Sequence, residues 1–350
     1  MNVLSLFDGM SCGRIALERA GIKVDKYFAA EIDKYAIQIA KKNYPDTIHM
    51  GDVQEIMYPE SFDGHKIDLV IGGSPCQGFS FAGHSLNFDD PRSKLFFEYA
   101  RLVKECKPKY FLLENVRMKQ ESQDVITEML GVEPVAINSR LVSAQNRYRL
   151  YWTNIPFEGQ PEDKGLLLRD ILEYDPDNYT IMSDKFTTRN KDAGCLVDAT
   201  KPKASNLSAM EYVKNGRQGD YLQCNNKGQP VIEPNGNLTN IRQVEINFEG
   251  CSQAGEAEEL VHYGYRTTKA VYSSLGKAPT LTTMGGGHRE PKVSMLETKW
   301  RKLTPKECER LQTVPDGYTE GVSNTQRYKM LGNGWTVDVV AHIFQNLKGA

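Results

Sequence analysis

Over residues 1–155, short apolar runs of strand length alternate with amphipathic stretches of helical length, and no other feature constrains the fold of this chain so strongly. Val3 to Phe7 reads as a buried strand and Gly13 to Ala20 as a helix. Val24 to Ala30 is a second strand, followed by a helix from Asp33 to Asn43 with Ala36, Ile37 and Ala40 on one face. Ile67 to Ile71 and Tyr110 to Leu113 are further strands, separated by a helical stretch from Ser93 to Cys106. Val135 to Asn138 and Arg147 to Thr153 complete the set. Strand, helix, strand at this pitch gives a parallel sheet covered on both faces. Its crossovers are right-handed and its ligands sit at the carboxyl ends of the strands.

The remainder obeys a different grammar. From about Asp184 to Val293 the chain is rich in Asn, Gly, Lys and Thr, with turn signals at Asn215-Gly216 and Asn235-Gly236 and strand-like pieces such as Val244 to Phe248. Lys and Arg slightly outnumber Asp and Glu here, although the chain as a whole carries a net charge of -2. Helix returns after Trp300, where Thr304-Pro305-Lys306-Glu307 spells an N-cap, a Pro at the first helical position and a capping-box Glu. The expected organisation is a catalytic domain over 1–160, an irregular recognition domain over 184–293, and a segment over 294–350 that returns to the first.

With 40% hydrophobic and 25% charged residues the chain has the composition of a globular protein. No apolar run approaches a membrane span, and Met1 to Phe7 lead into a polar turn without the pattern of a signal peptide. A cytoplasmic location is expected. Seven cysteines, none in a Cys-x-x-Cys pair, argue for free thiols over disulfides or zinc, with Cys12, Cys106 and Cys308 as buried ones.

Candidate chemistry gathers at strand ends. Leu4-Ser-Leu-Phe-Asp-Gly-Met-Ser-Cys-Gly13 is a strand feeding a Gly-bearing turn that opens a helix, where backbone can approach a ligand. The second strand ends near Glu31 and the third at Gly51-Asp52-Val53, acids placed to meet a ribose, or surface acids of a generic doubly wound fold. Gly72-Gly-Ser-Pro-Cys-Gln-Gly-Phe-Ser80 follows the fourth strand and presents Cys76 to the cleft, unless that thiol is simply packed. The fifth ends in Glu114, and neighbouring parallel strands would bring it into one cleft with Cys76. Gln145-Asn-Arg-Tyr-Arg149 alternates polar side chains on one strand face, costly in a buried sheet unless they meet anions or carboxylates.

In order along the chain, Phe7-Asp-Gly, Glu31, Gly51-Asp-Val, Gly72 to Ser80 around Pro75-Cys76, Glu114-Asn-Val116, Gln145-x-Arg-x-Arg149, Arg301-x-Leu-Thr-Pro-x-Glu-x-x-Arg-Leu-Gln312 and Gly332-Asn-Gly334 resemble the blocks of the DNA (cytosine-5)-methyltransferases. The opening block and Asn333-Gly-Trp335 depart from the commoner bacterial Phe-x-Gly-x-Gly and Gly-Asn-Ser, and look more like the catalytic domains of animal de novo DNA methyltransferases.

The resemblance implies an α/β fold, a Rossmann-like doubly wound mixed sheet with a smaller irregular target-recognition domain. It implies Cys76 as the nucleophile adding to C6 of cytosine, Glu114 holding N3 and the exocyclic amine, and Arg149 with Arg147 alongside holding O2 and the thiolate's surroundings. S-adenosylmethionine would be held by Phe7, Asp8, Gly9, Met10, Ser11, Cys12, Glu31, Ile32, Asp52, Val53, Pro75, Leu95, Asn333, Gly334 and Trp335, with no metal. Double-stranded DNA would meet Gln77, Ser80, Thr280, Leu281, Gly285, Gly286 and Gly287, the last five within Ala278 to His288. The target base must leave the duplex stack, and Gln77 to Ser93 would form a loop closing over it. A monomer is expected, with a companion restriction endonuclease as a candidate partner. Two other readings stay open: an RNA cytosine methyltransferase, disfavoured by the large middle region, and a catalytically silent DNA-binding relative, disfavoured by the presence of Cys76, Glu114 and Arg149.

Overall fold

A computed structural model describes residues 1–74, 91–157, 159–173, 180–181, 262–263, 271–273, 276–283, 291–296 and 299–347. The chain divides into two units. The first is Met1–Ser143, Arg147–Lys164 and Glu309–Ala350; the second is Ala144–Asn146 and Gly165–Cys308.

The first unit is built on a seven-stranded sheet in the order β3-β2-β1-β4-β5-β7-β6. Its strands are β1 (Asn2–Leu6), β2 (Lys26–Ala30), β3 (Ile48–Gly51), β4 (Leu69–Gly72), β5 (Tyr110–Val116), β6 (Val135–Asn138) and β7 (Tyr148–Thr153). Helices α1 (Cys12–Arg19), α2 (Lys34–Asn43), α3 (Pro91–Cys106) and α4 (Gln120–Leu130) connect them. The first five strands are mutually parallel, as the alternation of periods requires. The sheet is mixed, as the resemblance implies: β7 is antiparallel to both β5 and β6. The cause is loop length. Residues 139–147 link β6 to β7 through a short 3-10 turn, Ser139–Leu141, and a parallel return needs a crossover of a dozen or more residues. The result is a mixed, doubly wound sheet.

Leu4, Leu6, Phe28, Val70, Leu113, Trp152 and, from α3, Tyr99 form much of the core under this sheet. Helix α2 starts on Asp33, whose carboxylate accepts from the N–H of Tyr35, and buries Ala36, Ile39 and Ala40. Ile37, expected on that face, is only half-buried. Helix α4 was not foreseen in the sequence; it ends on Gly131 at φ 72°, a left-handed stop that favours glycine.

The second unit contains a five-stranded sheet in the order β8-β12-β11-β10-β9, from β8 (Thr180–Ile181), β9 (His262–Tyr263), β10 (Val271–Ser273), β11 (Lys292–Leu296) and β12 (Lys299–Lys302). Helix α5 (Pro305–Leu311) follows. Its capping box forms as read: Glu307 accepts from the Thr304 N–H at 2.8 Å, and the Thr304 hydroxyl accepts from the Glu307 N–H at 3.2 Å. Helices α6 (Asn324–Asn333) and α7 (Val337–Phe344) belong to the first unit. The turn signals at Asn215 and Asn235 and the strand-like Val244 to Phe248 lie outside the described residues. Among the described residues no helix is long and apolar enough to cross a membrane.

Candidate active site

Strand register brings the candidate residues to one edge. Leu6 pairs with Ala30 on one side and with Gly72 on the other; Ala30 pairs with Gly51 and Gly72 with Leu113. The next residue of each strand, Phe7, Glu31, Asp52, Gly73 and Glu114, therefore emerges at the same level at the carboxyl end of the sheet. Five positions scattered over a hundred residues are aligned by backbone hydrogen bonding alone.

At the end of β1 the chain turns sharply. Phe7, Gly9 and Ser11 have φ values of 58°, 60° and 66°, a conformation that costs the two non-glycine residues on the order of 1 kcal/mol each. Asp8 offsets this. It is buried, and its carboxylate accepts from the hydroxyls of Ser5 (2.6 Å), Ser11 (2.6 Å) and Tyr27 (2.7 Å). Burial pushes the Asp8 carboxyl up to about 6, against the pull of those three hydroxyls. Asp8 thus faces inward, shaping the turn from behind. Gly9 faces outward and donates its N–H to Glu31 Oε2 at 2.8 Å, while Glu31 Oε1 accepts from the N–H groups of Ile32 (2.8 Å) and Asp33 (2.7 Å). Ile32 leaves 74% of its surface exposed beside this carboxylate, an apolar plate next to an acid.

Along this edge Asp52 accepts from the Gln54 N–H at 3.0 Å and starts a short 3-10 turn whose Val53 is buried. Leu95, on α3, packs against the core. Cys12 is buried and its thiol is pushed up to about 12 by burial, so it acts as packing rather than as a nucleophile.

The turn between α6 and α7 closes onto this cradle. A Cβ added to Gly334 would lie 3.0 Å from Met10 Cε and 3.2 Å from Cys12 Sγ, so a side chain here would push its neighbours back by a few tenths of an ångström. Gln312, fully buried, donates to the carbonyls of Leu331 (2.6 Å) and Gly334 (3.3 Å), and its own carbonyl accepts from Thr336 Oγ1 at 2.9 Å. Tyr318 donates its hydroxyl to the Met10 carbonyl at 2.7 Å. Trp335 is buried, whereas Asn333 is exposed.

Beside this cradle, β5 and β7 carry the charged pair. Glu114 stands opposite Tyr151 and Val116 opposite Arg149, which makes Glu114 and Arg149 diagonal neighbours on one face, within reach of long side chains. Arg149 Nε lies 2.9 Å from Glu114 Oε1, both side chains nearly buried. A Cβ on Gly73 would sit 3.1 Å from Glu114 Oε2 and 3.0 Å from Trp335 Nε1. The missing side chain of Gly73 leaves room for the carboxylate and the indole at one place. Asn115 donates to Ser74 Oγ at 3.2 Å, on the residues that lead into Pro75 and Cys76.

The polar alternation from Gln145 to Arg149 does not lie on a single strand. Gln145 makes an isolated bridge with Ala278 in the second unit, Arg147 precedes β7, and only Arg149 is in it. Thr280 Oγ1 donates to the Asn146 carbonyl at 2.7 Å, and Leu281 is 2% exposed, so Leu281 as placed offers no surface to a duplex. Pro75, Cys76, Gln77, Ser80, Gly285, Gly286 and Gly287 lie outside the described residues, as does most of the loop from Gln77 to Ser93. Ser5, Tyr27, Gly73 and Tyr318 carry no role of their own in the sequence reading, and Gln312 enters it only as the end of the Arg301 to Gln312 block. The only available signal was a polar Ser5 and Tyr27 within otherwise buried strands.

The profile of the C-5 cytosine-specific DNA methylase family matches residues 1–349. The orphan methyltransferase M.Rho11sI of Bacillus phage rho11s is 28% identical, over 84% of this chain and 69% of its own length. The type II methyltransferase M.HhaI of Haemophilus parahaemolyticus is 25% identical over 99% of this chain and 94% of its own. Among solved structures, Spodoptera frugiperda DNMT2 has a TM-score of 0.63 at 16% identity, covering 99% of both chains. An E. coli prophage protein described as a DNA modification methyltransferase scores 0.60 at 21% identity, covering 99% of this chain and 98% of its own. These likenesses are of fold.

Proposed function

Because this chain belongs to the C-5 cytosine-specific DNA methylase family, we propose that it transfers a methyl group from S-adenosylmethionine to C5 of a flipped-out cytosine in a specific double-stranded DNA sequence, through a covalent adduct between Cys76 and C6. The observation that carries this reading is the Glu114–Arg149 pair, level in strand register with the turn and carboxylate of Gly9 and Glu31.

The cofactor cradle is judged from its donor set. An outward left-handed glycine, a carboxylate held by backbone N–H groups and an exposed isoleucine suit a nucleoside: Glu31 for the ribose hydroxyls, Ile32 for the flat face of the base. Phe7, Asp52 and Val53 would border it, and the Asn333 to Trp335 turn would close it. When bound, the cofactor supplies an electrophilic methyl group.

The chain's own groups prepare C5. The Cys76 thiolate forms a bond to C6 and the C5=C6 electron pair moves toward C5, with charge spreading to N3 and O2. Glu114 donates a proton to N3 as this charge grows and accepts from the exocyclic amine, and Arg149, fixed by Glu114, faces O2. Once C5 carries the methyl group, loss of the C5 proton to water and expulsion of the Cys76 thiolate restore the ring.

A duplex library with 5-fluorocytosine in place of cytosine tests the reading, because fluorine blocks the last elimination. Wild-type protein with cofactor should form a denaturation-resistant DNA adduct, and Cys76→Ala should form none. Labelled methyl groups should enter DNA and not tRNA, and bisulfite sequencing should place them on cytosine. An adduct with Cys76→Ala would mean that another nucleophile acts.

A further inference from the structure

The two arginines of the Gln145 to Arg149 block point to different places. Arg149 is committed to Glu114. Arg147 is 3% exposed, and its Nη2 donates to the carbonyls of Gly332 at 3.2 Å and Gly334 at 3.0 Å. Its backbone is pinned as well: the Arg147 N–H donates to Asn138 Oδ1 at 3.1 Å, and its carbonyl accepts from the Ser139 N–H at 3.0 Å. The reach of the guanidinium is therefore fixed by the same sheet edge that fixes Arg149 two residues later.

We propose that Arg147 is a positioning residue that seats the Gly332 to Trp335 turn over the Met10 to Cys12 loop, so that cofactor binding depends on one buried guanidinium. The inference rests on the function proposed above and adds a division of labour within the arginine pair. Three contacts support it. Gly334, whose carbonyl Arg147 holds, packs directly on Met10 and Cys12 of the cofactor loop. Trp335 is the next residue, and a Cβ on Gly73 would stand 3.0 Å from its indole nitrogen and 3.1 Å from Glu114 Oε2. Gln312 donates to the same Gly334 carbonyl, so a neutral amide and a cation converge on one acceptor, as a turn fixed in place requires.

A buried cation is costly unless paired or fully hydrogen-bonded. Burial, and then the Arg149 charge, push the Arg147 guanidinium down to about 9, with Glu114 pulling the other way; it stays charged at neutral pH. Keeping such a charge only to brace a turn makes sense where the turn forms part of a binding site. Lysine cannot reproduce the planar fork of arginine, so Arg147→Lys should keep part of the function and Arg147→Met less.

The experiment compares wild type, Arg147→Lys, Arg147→Met and Arg149→Met. Calorimetric affinity for S-adenosylhomocysteine is measured without DNA, and single-turnover methylation is measured across cofactor concentration. Arg147→Met should weaken S-adenosylhomocysteine binding by about tenfold to a hundredfold, the size expected for lost hydrogen bonds to a charged group. Its methylation rate should recover largely at saturating cofactor. Arg147→Lys should fall between it and wild type. Arg149→Met should bind the cofactor within about twofold of wild type and fail to recover. Should Arg147→Met not fold, Arg147→Lys decides by the same split between affinity and maximal rate. Wild-type affinity in the Arg147 variants, with a rate that saturating cofactor does not restore, would overturn the proposal and place Arg147 on the base. A wild-type protein that binds no S-adenosylhomocysteine would instead overturn the underlying function and take the proposal with it.

Discussion

Arg149 holds Glu114 from two positions away in the ladder: Glu114 faces Tyr151 across β5 and β7, and the guanidinium reaches back 2.9 Å to its carboxylate. The pair thus joins the end of one strand to the start of its antiparallel neighbour. Substituting one partner has separable effects. Glu114→Gln keeps the shape and loses the capacity to hand a proton to N3, so single-turnover methylation with both substrates saturating should fall by roughly 10²- to 10⁴-fold, with cofactor affinity little changed. A rate within a few-fold of wild type would leave Glu114 structural. Arg149→Ala strands a nearly buried carboxylate and should lower stability by about 3 kcal/mol in urea unfolding.

Gly73 separates the indole of Trp335 from the carboxylate of Glu114. Alanine there would put a methyl group 3.0 Å from one and 3.1 Å from the other, displacing both by a fraction of an ångström. Misplacement on this scale costs on the order of 10- to 100-fold in rate. Gly73→Ala should therefore lower methylation in that range while its far-ultraviolet circular dichroism stays that of wild type.

The Asp8 carboxyl, pushed up to about 6 by burial, is protonated more readily in the folded protein than in the unfolded chain, where its value is near 3.8. Its contribution to stability is fully present below that lower value and is lost as pH rises through about 6. With roughly 1.36 kcal/mol per unit, the wild type should lose about 3 kcal/mol across this window from this group. Asp8→Asn cannot titrate. The stability difference between wild type and Asp8→Asn, from denaturant unfolding at pH 4 and pH 7, should shift by that amount in favour of the variant at the higher pH. A difference independent of pH would refute the assignment.

Cys12 and Cys106 have thiols that burial pushes up to about 12. Neither should be alkylated by iodoacetamide at pH 8 in the folded protein, and both should react after denaturation, as peptide mapping by mass spectrometry would show. Rapid native labelling of Cys12 would mean that the turn from Phe7 to Cys12 opens.

The sheet edge was legible in the sequence because strand length and helix length are local signals, and glycines and acids at the ends of apolar runs mark where a parallel sheet binds. What escaped the sequence was set by contacts between distant segments. The reversal of β7 depended on a connection too short to cross over, and its arginines read as one polar face although Gln145, Arg147 and Arg149 have three separate destinations. The inward turn of Asp8 was hidden because a carboxylate beside a glycine looks the same whether it meets a ligand or three neighbouring hydroxyls. Helix α4 escaped although Gly131 marked its end, because its polar composition mutes the helical period.

The packing of Gly334 on Met10, and the hydrogen bond from Tyr318 to the Met10 carbonyl, join positions more than three hundred residues apart. All seven strands of the main sheet are complete by Thr153, yet the loop at the end of the first strand has no ceiling until the chain has been made through Trp335. A nascent chain would then carry a finished floor and no room. On the function proposed above, the cofactor site would be complete only after the segment expected to read the target has already been made.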